Sequence, residues 1–443
     1  MIEQYQKIMI FGQPFNGTSG GGITLTNLFK GWPKDKIAVA FAPWGNGKVT
    51  TDICNIYYQI GEEEHRWKFP YNLFKKPFPK SGLIEYTAGV RLPAGELKTG
   101  LKKILADRVY NPLMFWLGFH HCNSEIIISE KLMTWLGEFQ PDILYLQVSS
   151  LENIRFANRL IDYLKVPAVI HMMDDWPSTI STHGPLKNFW KNKINREFRQ
   201  LLNKVSLHLG ISDGMSEEYL KRYNKCFKAF HNPVEIQQFN IPNKRNPSQI
   251  NCFRILYIGR IGTANKETIV LFASLISQLL INHIKIEFDI FTVDIDSPDI
   301  RSIKNFENVN IRPAIAHEKI PALLAEYDLL LLPLDFTENG IRFARFSIPT
   351  KASEYMLSGT PVLVFAPQET AVSKFFSRND CGYCLTSQNR DEIIKAIKFL
   401  ISNEEYRKKI SRNAVNFAKE KFDAEKVRKE FQSLLMELST KQI

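Results

Sequence analysis

A chain of 443 residues with 44% hydrophobic and 23% charged residues has the composition of a globular protein of two or three domains. Its six cysteines are too few for a disulfide framework, and its clearest apolar runs, residues 111–119 and 327–334, are shorter than the roughly 18 residues of a membrane-spanning helix. A net charge of +11 without a helix-turn-helix, zinc-finger or RNA-recognition pattern argues against nucleic acid as a partner. Because Glu3 and Gly12 interrupt the first apolar stretch, which therefore does not resemble a signal peptide, we expect a cytoplasmic protein.

The N-terminal segment has the pattern with which α/β domains begin. Residues 8–12 form a continuous apolar run, typical of a strand buried on both faces of a parallel sheet. A glycine-rich loop follows, with Gly20, Gly21 and Gly22, and a helical pattern covers residues 23–29. We predict a second strand at residues 36–42 and an elaborated loop region from about residue 45 to 92, where periodicity is weak.

Helices and strands alternate regularly after residue 125. The predicted elements are a helix at 125–138, a strand at 142–148, a helix at 151–164, a strand at 167–171, a helix at 188–202, a strand at 207–211, a helix at 215–223 and a strand at 227–230. This alternation predicts a doubly wound parallel sheet.

The alternation restarts after a polar segment rich in Pro and Asn, residues 240–252. Strands are predicted at 254–258, 284–291, 309–312, 328–333, 361–365 and 383–385, and two helical stretches at 391–417 and 424–438 end the sequence. The predicted fold is therefore α/β, with two Rossmann-like parallel-sheet domains facing a cleft. The predicted bounds are 1–240 for the first domain, 241–252 for the linker, 253–420 for the second domain, and 421–443 for a C-terminal helix that packs back on the first domain.

The segment from Ser347 to Val364 has the richest pattern. Pro349 suits the first turn of a helix, and Gly359 suits its end. The free N–H groups at such a helix start attract a phosphate, and the cation of Lys351 strengthens that attraction. Glu354, three residues later on an adjoining face, can bind a ribose diol. We therefore predict a nucleotide site around Thr350, Lys351 and Glu354.

This segment resembles the P-x-K-x-x-E-Y-M-x-x-G-x-P-V stretch of GT-B glycosyltransferases in the large retaining, glycogen-synthase-like family (glycosyltransferase family 4 type). Other pieces follow in the order of that family: the Gly20–Gly22 loop, the segment from His171 to Pro177, the His231–Val234 segment, which is similar to an N-G/P-V signature, and Gly259-Arg260 with Lys266, which is similar to a G-R…K phosphate motif. The resemblance covers residues from about 8 to 420.

The resemblance implies transfer of a sugar from a nucleoside-diphosphate sugar to a hydroxyl acceptor, with retention and without a metal or other cofactor. It implies donor contacts from Gly21, Gly22, Arg260 and Lys266 as well as from the predicted nucleotide helix. It also implies that His171 lies by the donor sugar, and that Asp174 or Asp175 lies by the acceptor, where a carboxylate can orient or deprotonate a hydroxyl.

Two positions depart from the family pattern. Relatives carry an acidic residue eight positions before Glu354, where this chain has Phe346. Arg260 and Lys266 are six residues apart, one more than the common spacing. The missing acidic residue leaves open a non-catalytic sugar-nucleotide-binding subunit, and the shared fold leaves open a sugar-nucleotide 2-epimerase.

Each candidate residue also has a purely structural interpretation. Arg260 could cap a strand end, and Glu354 could pair with Lys351 on an exposed helix. The residues from His171 to Asp175 could form a polar turn, the glycine loop could be a tight turn, and His231 could be structural. The pair Cys381 and Cys384 has the spacing of half a metal or redox motif, but small residues on a turn explain it.

A basic stretch from residue 65 to 103 suggests a further partner. Its cations are Arg66, Lys68, Lys75, Lys76, Lys80, Arg91, Lys98, Lys102 and Lys103, against Glu85 and Glu96, with five aromatic residues interleaved. Cations and rings in such a mixture suit an anionic membrane surface. We therefore expect a glycan or lipid-linked acceptor and peripheral association with the inner face of the membrane; a solvated loop is the alternative.

Overall fold

The computed structural model describes residues 5–17, 19–42, 49–69, 71–73, 78–84, 106–180, 183–241, 252–277, 279–281, 284–293, 295 and 297–440. The chain forms two compact units. The first contains Met1–Phe230 and Arg428–Ile443, and the second contains His231–Val427. Most of the predicted linker, residues 242–251, lies outside the described residues.

The first unit is built on an eight-stranded sheet. In chain order its strands are β1 (Ile8–Phe11), β2 (Ile37–Phe41), β3 (Ile56–Gln59), β5 (Gly82–Leu83), β7 (Ile143–Leu146), β8 (Ala168–Met172), β9 (Leu207–Gly210) and β10 (Lys228–Ala229). They lie in the order β10-β9-β8-β7-β1-β2-β3-β5, and all neighbours are parallel except β3 and β5. Every residue of β1, β2, β7 and β8 is buried, which explains their continuous apolar sequences.

Helices cover both faces of α/β sheets of this kind. Among the described residues of the first unit, the helices are Gly20–Phe29, Asn111–Trp116, Glu130–Phe139, Leu151–Leu164, Trp176–Thr179, Lys187–Lys204 and Asp213–Tyr223. The C-terminal helix, Ala424–Thr440, enters this unit at Arg428. There the Phe431 ring packs edge-on against Phe29, with 5.1 Å between the ring centroids.

Two predictions for the first unit were wrong. The region from residue 45 to 92, expected to be a loop, contains β3, β5 and the strand β4 (His65–Trp67), which pairs with β6 (Ser124–Ile126) in a separate antiparallel ribbon. Strands of two to four residues are too short to show a period-two pattern. The helix predicted from residue 125 begins at Glu130, because the Ser129 side chain accepts a hydrogen bond from the Leu132 N–H and caps it there.

The second unit is built on a seven-stranded sheet. Its strands are β11 (Cys252–Ile258), β12 (Leu280–Ile281), β13 (Ile284–Thr292), β14 (Val309–Pro313), β15 (Leu329–Pro333), β16 (Val362–Phe365) and β17 (Tyr383–Leu385). The order is β12-β13-β11-β15-β16-β17, with β14 on β13, and only β12 is antiparallel. The predicted fold class, two Rossmann-like parallel-sheet domains, is confirmed.

The helices of the second unit are Lys266–Ile276, Pro298–Arg301, Ile320–Ala325, Glu338–Ala344, Lys351–Ser358, Ala371–Arg378, Arg390–Ser402 and Glu404–Lys421. The last two replace the single helical stretch predicted at residues 391–417. Asn403 separates them: its N–H ends the first helix on the Phe399 carbonyl, and its side chain caps the second by accepting from the Tyr406 N–H. Over the part of the chain that the structure describes, no helix has the length and apolar character needed to cross a membrane.

Candidate active site

The first candidate region lies at the carboxyl ends of β1, β7 and β8, three neighbours in the sheet of the first unit. Gly12, directly after β1, has a φ of +114°, and a Cβ there would lie 2.1 Å from the carbonyl oxygen of Gln147, directly after β7. Only glycine tolerates both the conformation and the close approach. The turn that leads into the glycine loop is therefore packed against the end of β7, the neighbouring strand in the sheet.

The two glycines predicted to bind the donor have different surroundings. Gly22 is buried, its N–H donates to Ser19 Oγ at 3.2 Å, and a Cβ on it would lie 2.2 Å from Asn16 Nδ2. A Cβ on Gly21 would make only an ordinary contact, 3.7 Å from Met173 Cγ. Gly22 therefore packs the helix start, whereas Gly21 lies beside the segment that follows His171.

His171 lies in β8 and is 1% exposed. Its Nδ1 is 2.5 Å from the hydroxyl oxygen of Tyr145, a residue of β7. Burial lowers the pKa of His171 to about 3, although the backbone of Gly210 opposes the shift. The ring is therefore neutral at physiological pH. Its other nitrogen, Nε2, has no hydrogen-bond partner of good geometry among the described residues.

Asp175 is engaged in an internal ion pair. Its side chain is 1% exposed and receives two hydrogen bonds from the Arg222 guanidinium, at 2.9 and 3.2 Å. The Tyr219 hydroxyl donates a third, at 2.9 Å. Both carboxylate oxygens are thus committed to a neighbouring helix. These contacts fit the structural interpretation of Asp175 better than contact with an acceptor.

Asp174 differs from its neighbour. It is partly exposed, and burial together with the charge of Asp175 raises the pKa of its carboxyl group, while a hydrogen bond with the Trp176 backbone opposes the rise. No ion pair with Asp174 is found among the described residues, and a carboxylate with a raised pKa that is not held in an ion pair can act as a proton acceptor. The geometry therefore favours Asp174, a choice that the sequence left open.

The second candidate region lies at the carboxyl end of β11 in the second unit. The ammonium of Lys351 donates a hydrogen bond of 2.7 Å to the carbonyl of Ile258 and lies 4.1 Å from the centroid of the Tyr257 ring. Gly259 makes room for it: a Cβ there would be 2.3 Å from Lys351 Nζ. Burial lowers the pKa of Lys351 to about 7, with the charge of Glu354 opposing the shift.

Glu354 lies one turn further along the same helix, and its side chain is 13% exposed. Burial raises the pKa of its carboxyl group, against the opposing effects of His317 and Lys351. Glu354 Oε1 is 3.6 Å from His317 Nε2, and no described ion pair joins it to Lys351. The alternative of a Lys351–Glu354 pair on an exposed helix is therefore not what the structure has.

One helix start in this unit, before Lys351, was predicted to meet phosphate, and Lys266, a predicted phosphate ligand, lies at the start of another helix. At the helix Lys351–Ser358 the residue before the first turn, Thr350, makes no side-chain cap. At the helix Lys266–Ile276 the carboxylate of Asp335 accepts from the N–H groups of Glu267 and Thr268, at 3.3 and 2.8 Å. An anion already satisfies that second helix start, so the first is the better phosphate site.

Arg260 directly follows Gly259 and is exposed. Its backbone carbonyl accepts hydrogen bonds from the Tyr257 hydroxyl at 2.6 Å and from Asn265 Nδ2 at 3.1 Å. Asn265 also accepts from the N–H of Gly262, at 3.0 Å. These bonds fix the loop backbone from which the Arg260 side chain extends.

Four residues of these regions were not predicted from the sequence: Tyr145, Arg222, His317 and Asp335. Tyr145 and Asp335 could have been noticed, because one lies in and the other just after an apolar strand that ends at the site. His317 lies in a short polar turn, and Arg222 on an ordinary charged helix, with no local signal. Within the described ranges, no three His, Cys, Asp or Glu side chains are grouped so that they could hold a metal ion.

The basic stretch at 65–103 is only partly described. Lys75, Lys76, Arg91, Lys98, Lys102 and Lys103 lie outside the described residues. Arg66 and Lys80 are exposed, and Lys68 pairs with Glu125 at 3.2 Å. Of the interleaved rings, Phe69 is 79% exposed, whereas Tyr71 and Phe78 are buried. Membrane binding by this stretch stays a prediction.

Comparison with known proteins agrees with this architecture. Residues 252–403, which lie inside the second unit, match the family model for "Glycosyl transferases group 1". The resemblance to glycosyltransferases predicted from the sequence is thus confirmed for this segment. No curated protein sequence matches the chain significantly.

Solved structures resemble the chain over nearly its full length. HepE of Anabaena, crystallised with UDP and glucose, has a TM-score of 0.62 and 14% identity over 98% of this chain and 100% of its own. Sucrose-phosphate synthase of Thermosynechococcus elongatus has a TM-score of 0.60 and 12% identity over 98% and 99%. WaaG, a glycosyltransferase involved in lipopolysaccharide biosynthesis, has a TM-score of 0.54 and 11% identity over 96% and 99%. At these identities the likeness concerns the fold.

Proposed function

We propose that this protein transfers a sugar from a nucleoside-diphosphate sugar to a hydroxyl acceptor, with retention of the anomeric configuration and without a metal. In this proposal, side chains of the second unit bind the nucleotide, and side chains of the first unit contact the acceptor and the sugar. The acceptor is a glycan or a lipid-linked glycan, and synthesis of a cell-surface polysaccharide fits such an activity.

The observation that carries this proposal is the state of Lys351. Its ammonium is desolvated, is bonded to a carbonyl, and has no carboxylate within ion-pair distance among the described residues. Lys351 is half-buried, and a desolvated amine without a counter-ion is costly in its charged form, so a lysine in this state marks a candidate functional site. A diphosphate at the adjoining helix start supplies the missing negative charge.

Sugar transfer breaks the bond between the anomeric carbon and the diphosphate, so negative charge develops on the departing phosphate oxygens. Preorganised positive groups lower the barrier by stabilising that charge. Lys351, the uncapped start of the helix Lys351–Ser358 and the exposed Arg260 can supply it. Lys266 is a weaker candidate, because Asp335 occupies the start of its helix. Glu354 is suited to bind the ribose hydroxyls.

On the first unit, the neutral ring of His171 is a poor general acid or base, because its pKa is about 3. Its Nε2 is shielded from solvent, so a hydrogen bond with a sugar hydroxyl requires the residues that cover it to move when the donor binds. Asp174, whose pKa is raised, can orient an acceptor hydroxyl and share its proton. The resemblance implies that the donor phosphate itself assists this deprotonation in retaining enzymes. Gly21 leaves room for the sugar beside Met173.

The test is an assay of UDP, GDP, ADP and dTDP release from their sugar nucleotides, with product analysis by mass spectrometry. UDP-sugars come first because HepE was crystallised with UDP and glucose. We expect a new glycoside to form from one of these sugar nucleotides. Nucleotide release should be lost in Glu354→Gln but not in the control Glu369→Gln, which changes an exposed glutamate of the same unit. An isomerised donor without net release of nucleotide is the outcome expected of an epimerase. Nucleotide binding without any product under all conditions is the outcome expected of a binding subunit.

A further inference from the structure

The helix Asn111–Trp116 and its neighbours expose apolar side chains on the first unit. Every one of the six helix residues retains solvent exposure, although this is one of the two clearest apolar runs of the sequence. The exposed fractions are 44% for Leu113, 63% for Phe115, 55% for Trp116, 39% for Phe119 and 54% for Phe189 of the helix Lys187–Lys204. We call these five side chains the apolar cluster. Grouped exposed apolar side chains of this size mark interaction sites more often than single ones do.

The backbone beneath the apolar cluster is fixed by Trp190, which is 2% exposed. Its indole Nε1 donates to the Leu117 carbonyl at 2.9 Å, and its ring lies 5.8 Å from the Phe119 ring and 5.2 Å from the Phe189 ring. Gly118, at a φ of +74°, permits this contact, since a Cβ there would be 2.4 Å from Trp190 Cδ1. The apolar cluster is thus displayed on a packed support.

The two sequence segments that carry the apolar cluster are basic, although Asp107 and Glu197 directly flank them. Residues 108–123 and 183–196 contain no Asp or Glu, but five cations: Arg108, Lys187, Lys191, Lys193 and Arg196. The first turn of the helix Lys187–Lys204 has no acidic residue, although the helix dipole favours one there. Lys193 Nζ lies 5.6 Å from the centroid of the Phe189 ring, so a cation and an exposed ring share one face. Helix stability alone does not explain this arrangement.

We propose that the apolar cluster and these five cations dock the first unit on an anionic lipid bilayer. Trp and Phe side chains prefer the level of the head groups, and Lys and Arg are attracted by lipid phosphates. A second copy of this chain is disfavoured, because a two-fold contact through the same patch brings five cations against five others. The surface uses none of the cations of the stretch at 65–103 and depends on neither Lys351 nor Asp174.

The proposal is tested by sedimentation with vesicles in the absence of any sugar nucleotide, so that its failure is distinct from a failure of sugar transfer. Wild type is compared with two variants, Phe115→Ser/Trp116→Ser/Phe189→Ser and Lys187→Gln/Lys191→Gln/Lys193→Gln. A control, Tyr163→Ser/Leu220→Ser, removes exposed apolar side chains elsewhere on the same unit. Vesicles are pure phosphatidylcholine or contain about 30% phosphatidylglycerol.

We expect wild type and the control to bind the anionic vesicles and to bind the neutral vesicles only weakly. Each patch variant should lose about tenfold or more in partition coefficient, and binding should fall as salt rises from about 0.1 to 0.5 M. Brominated lipids should quench wild-type fluorescence more than that of Trp116→Phe. Circular dichroism and melting temperatures like those of wild type establish that the variants are folded.

Three results would overturn the proposal. The first is equal vesicle binding by wild type and both patch variants, and the second is no binding by wild type. The third is a concentration-dependent dimer of wild type that the aromatic variant abolishes in light scattering, because the patch would then be a protein interface.

Discussion

Lys351 donates a hydrogen bond of 2.7 Å to the carbonyl of Ile258, which is the last residue of β11. A helix start and a strand end of the second unit are thereby joined through one desolvated cation. The hydrogen bond satisfies one of three ammonium protons, and the Tyr257 ring faces the cation at 4.1 Å. An arriving phosphate therefore meets an amine that is already held in position, has no ion-pair partner among the described residues and is charged fully only when the phosphate binds.

This arrangement predicts a pH dependence of nucleotide affinity. Burial lowers the pKa of Lys351 to about 7, and a diphosphate favours its charged form. Above pH 7 binding must first protonate the amine, so we expect UDP affinity to weaken up to about tenfold per pH unit between pH 7 and 9. Isothermal titration in buffers of different ionisation enthalpy should also detect proton uptake.

The control is Lys351→Met, which keeps the side-chain length without the charge. We expect weaker affinity at pH 7 and little further change up to pH 9, because the terminal phosphate of UDP titrates near pH 6, below this window. The unliganded wild type should become more stable from pH 7 toward 10.5, since the unfolded chain then binds the proton that the folded protein lacks. The same slope in both proteins would show that another group is responsible.

Asp174 and Asp175 should separate activity from stability. Asp175→Asn breaks the pair with Arg222, which keeps contact with Glu218, and should cost about 2–3 kcal/mol of unfolding free energy. Asp174→Asn removes a carboxylate whose pKa is raised by burial. It should leave the unfolding free energy at pH 7 unchanged or slightly higher, while lowering transfer about a hundredfold. Urea melts and initial rates measure both; the reverse pattern would exchange the roles of the two residues.

The sequence predicted the fold more completely than it predicted the contacts of the candidate site. Strands such as Ile8–Phe11 and Leu329–Pro333 were predicted because they are buried on both faces and so are apolar throughout. The helix with Lys351 and Glu354 could be predicted because Pro349 suits its first turn and Gly359 suits its end. The partner of Asp175 could not be predicted, because Arg222 lies 47 residues away and the contact exists only once two helices pack. Short strands such as His65–Trp67 lack a period that could reveal them.

The glycine loop gives a matched pair of substitutions. In Gly22→Ala the new Cβ would lie 2.2 Å from Asn16 Nδ2, so we expect a loss of about 1–3 kcal/mol in unfolding free energy. In Gly21→Ala the nearest contact is 3.7 Å, so the unfolding free energy should be unchanged or rise by a few tenths of a kcal/mol. If Gly21 leaves room for the sugar, this variant should still lower kcat/KM about tenfold or more. Full activity of a stable Gly21→Ala protein would limit the loop to a structural turn.

The pair of Tyr145 and His171 yields the last prediction. Tyr145 lies 2.5 Å from Nδ1 and so fixes the ring orientation from inside the sheet. Tyr145→Phe keeps the ring volume but leaves a buried nitrogen unpaired, at a cost of about 1–3 kcal/mol. His171→Ala should lower transfer strongly, Tyr145→Phe should lower it less, and neither should alter UDP affinity by more than about twofold, because both act on the sugar and not on the nucleotide.

The pH profile distinguishes positioning from proton transfer. Because the pKa of His171 is about 3, the acid limb of the rate profile between pH 5 and 8 should be the same in wild type and Tyr145→Phe. Burial of the neutral ring should also make wild type less stable as pH falls from 6.5 toward 3, since the unfolded chain takes up a proton that the folded ring does not. That acid slope should shrink in His171→Ala. A rate profile whose acid limb moves in Tyr145→Phe would instead assign His171 a role as a general acid or base.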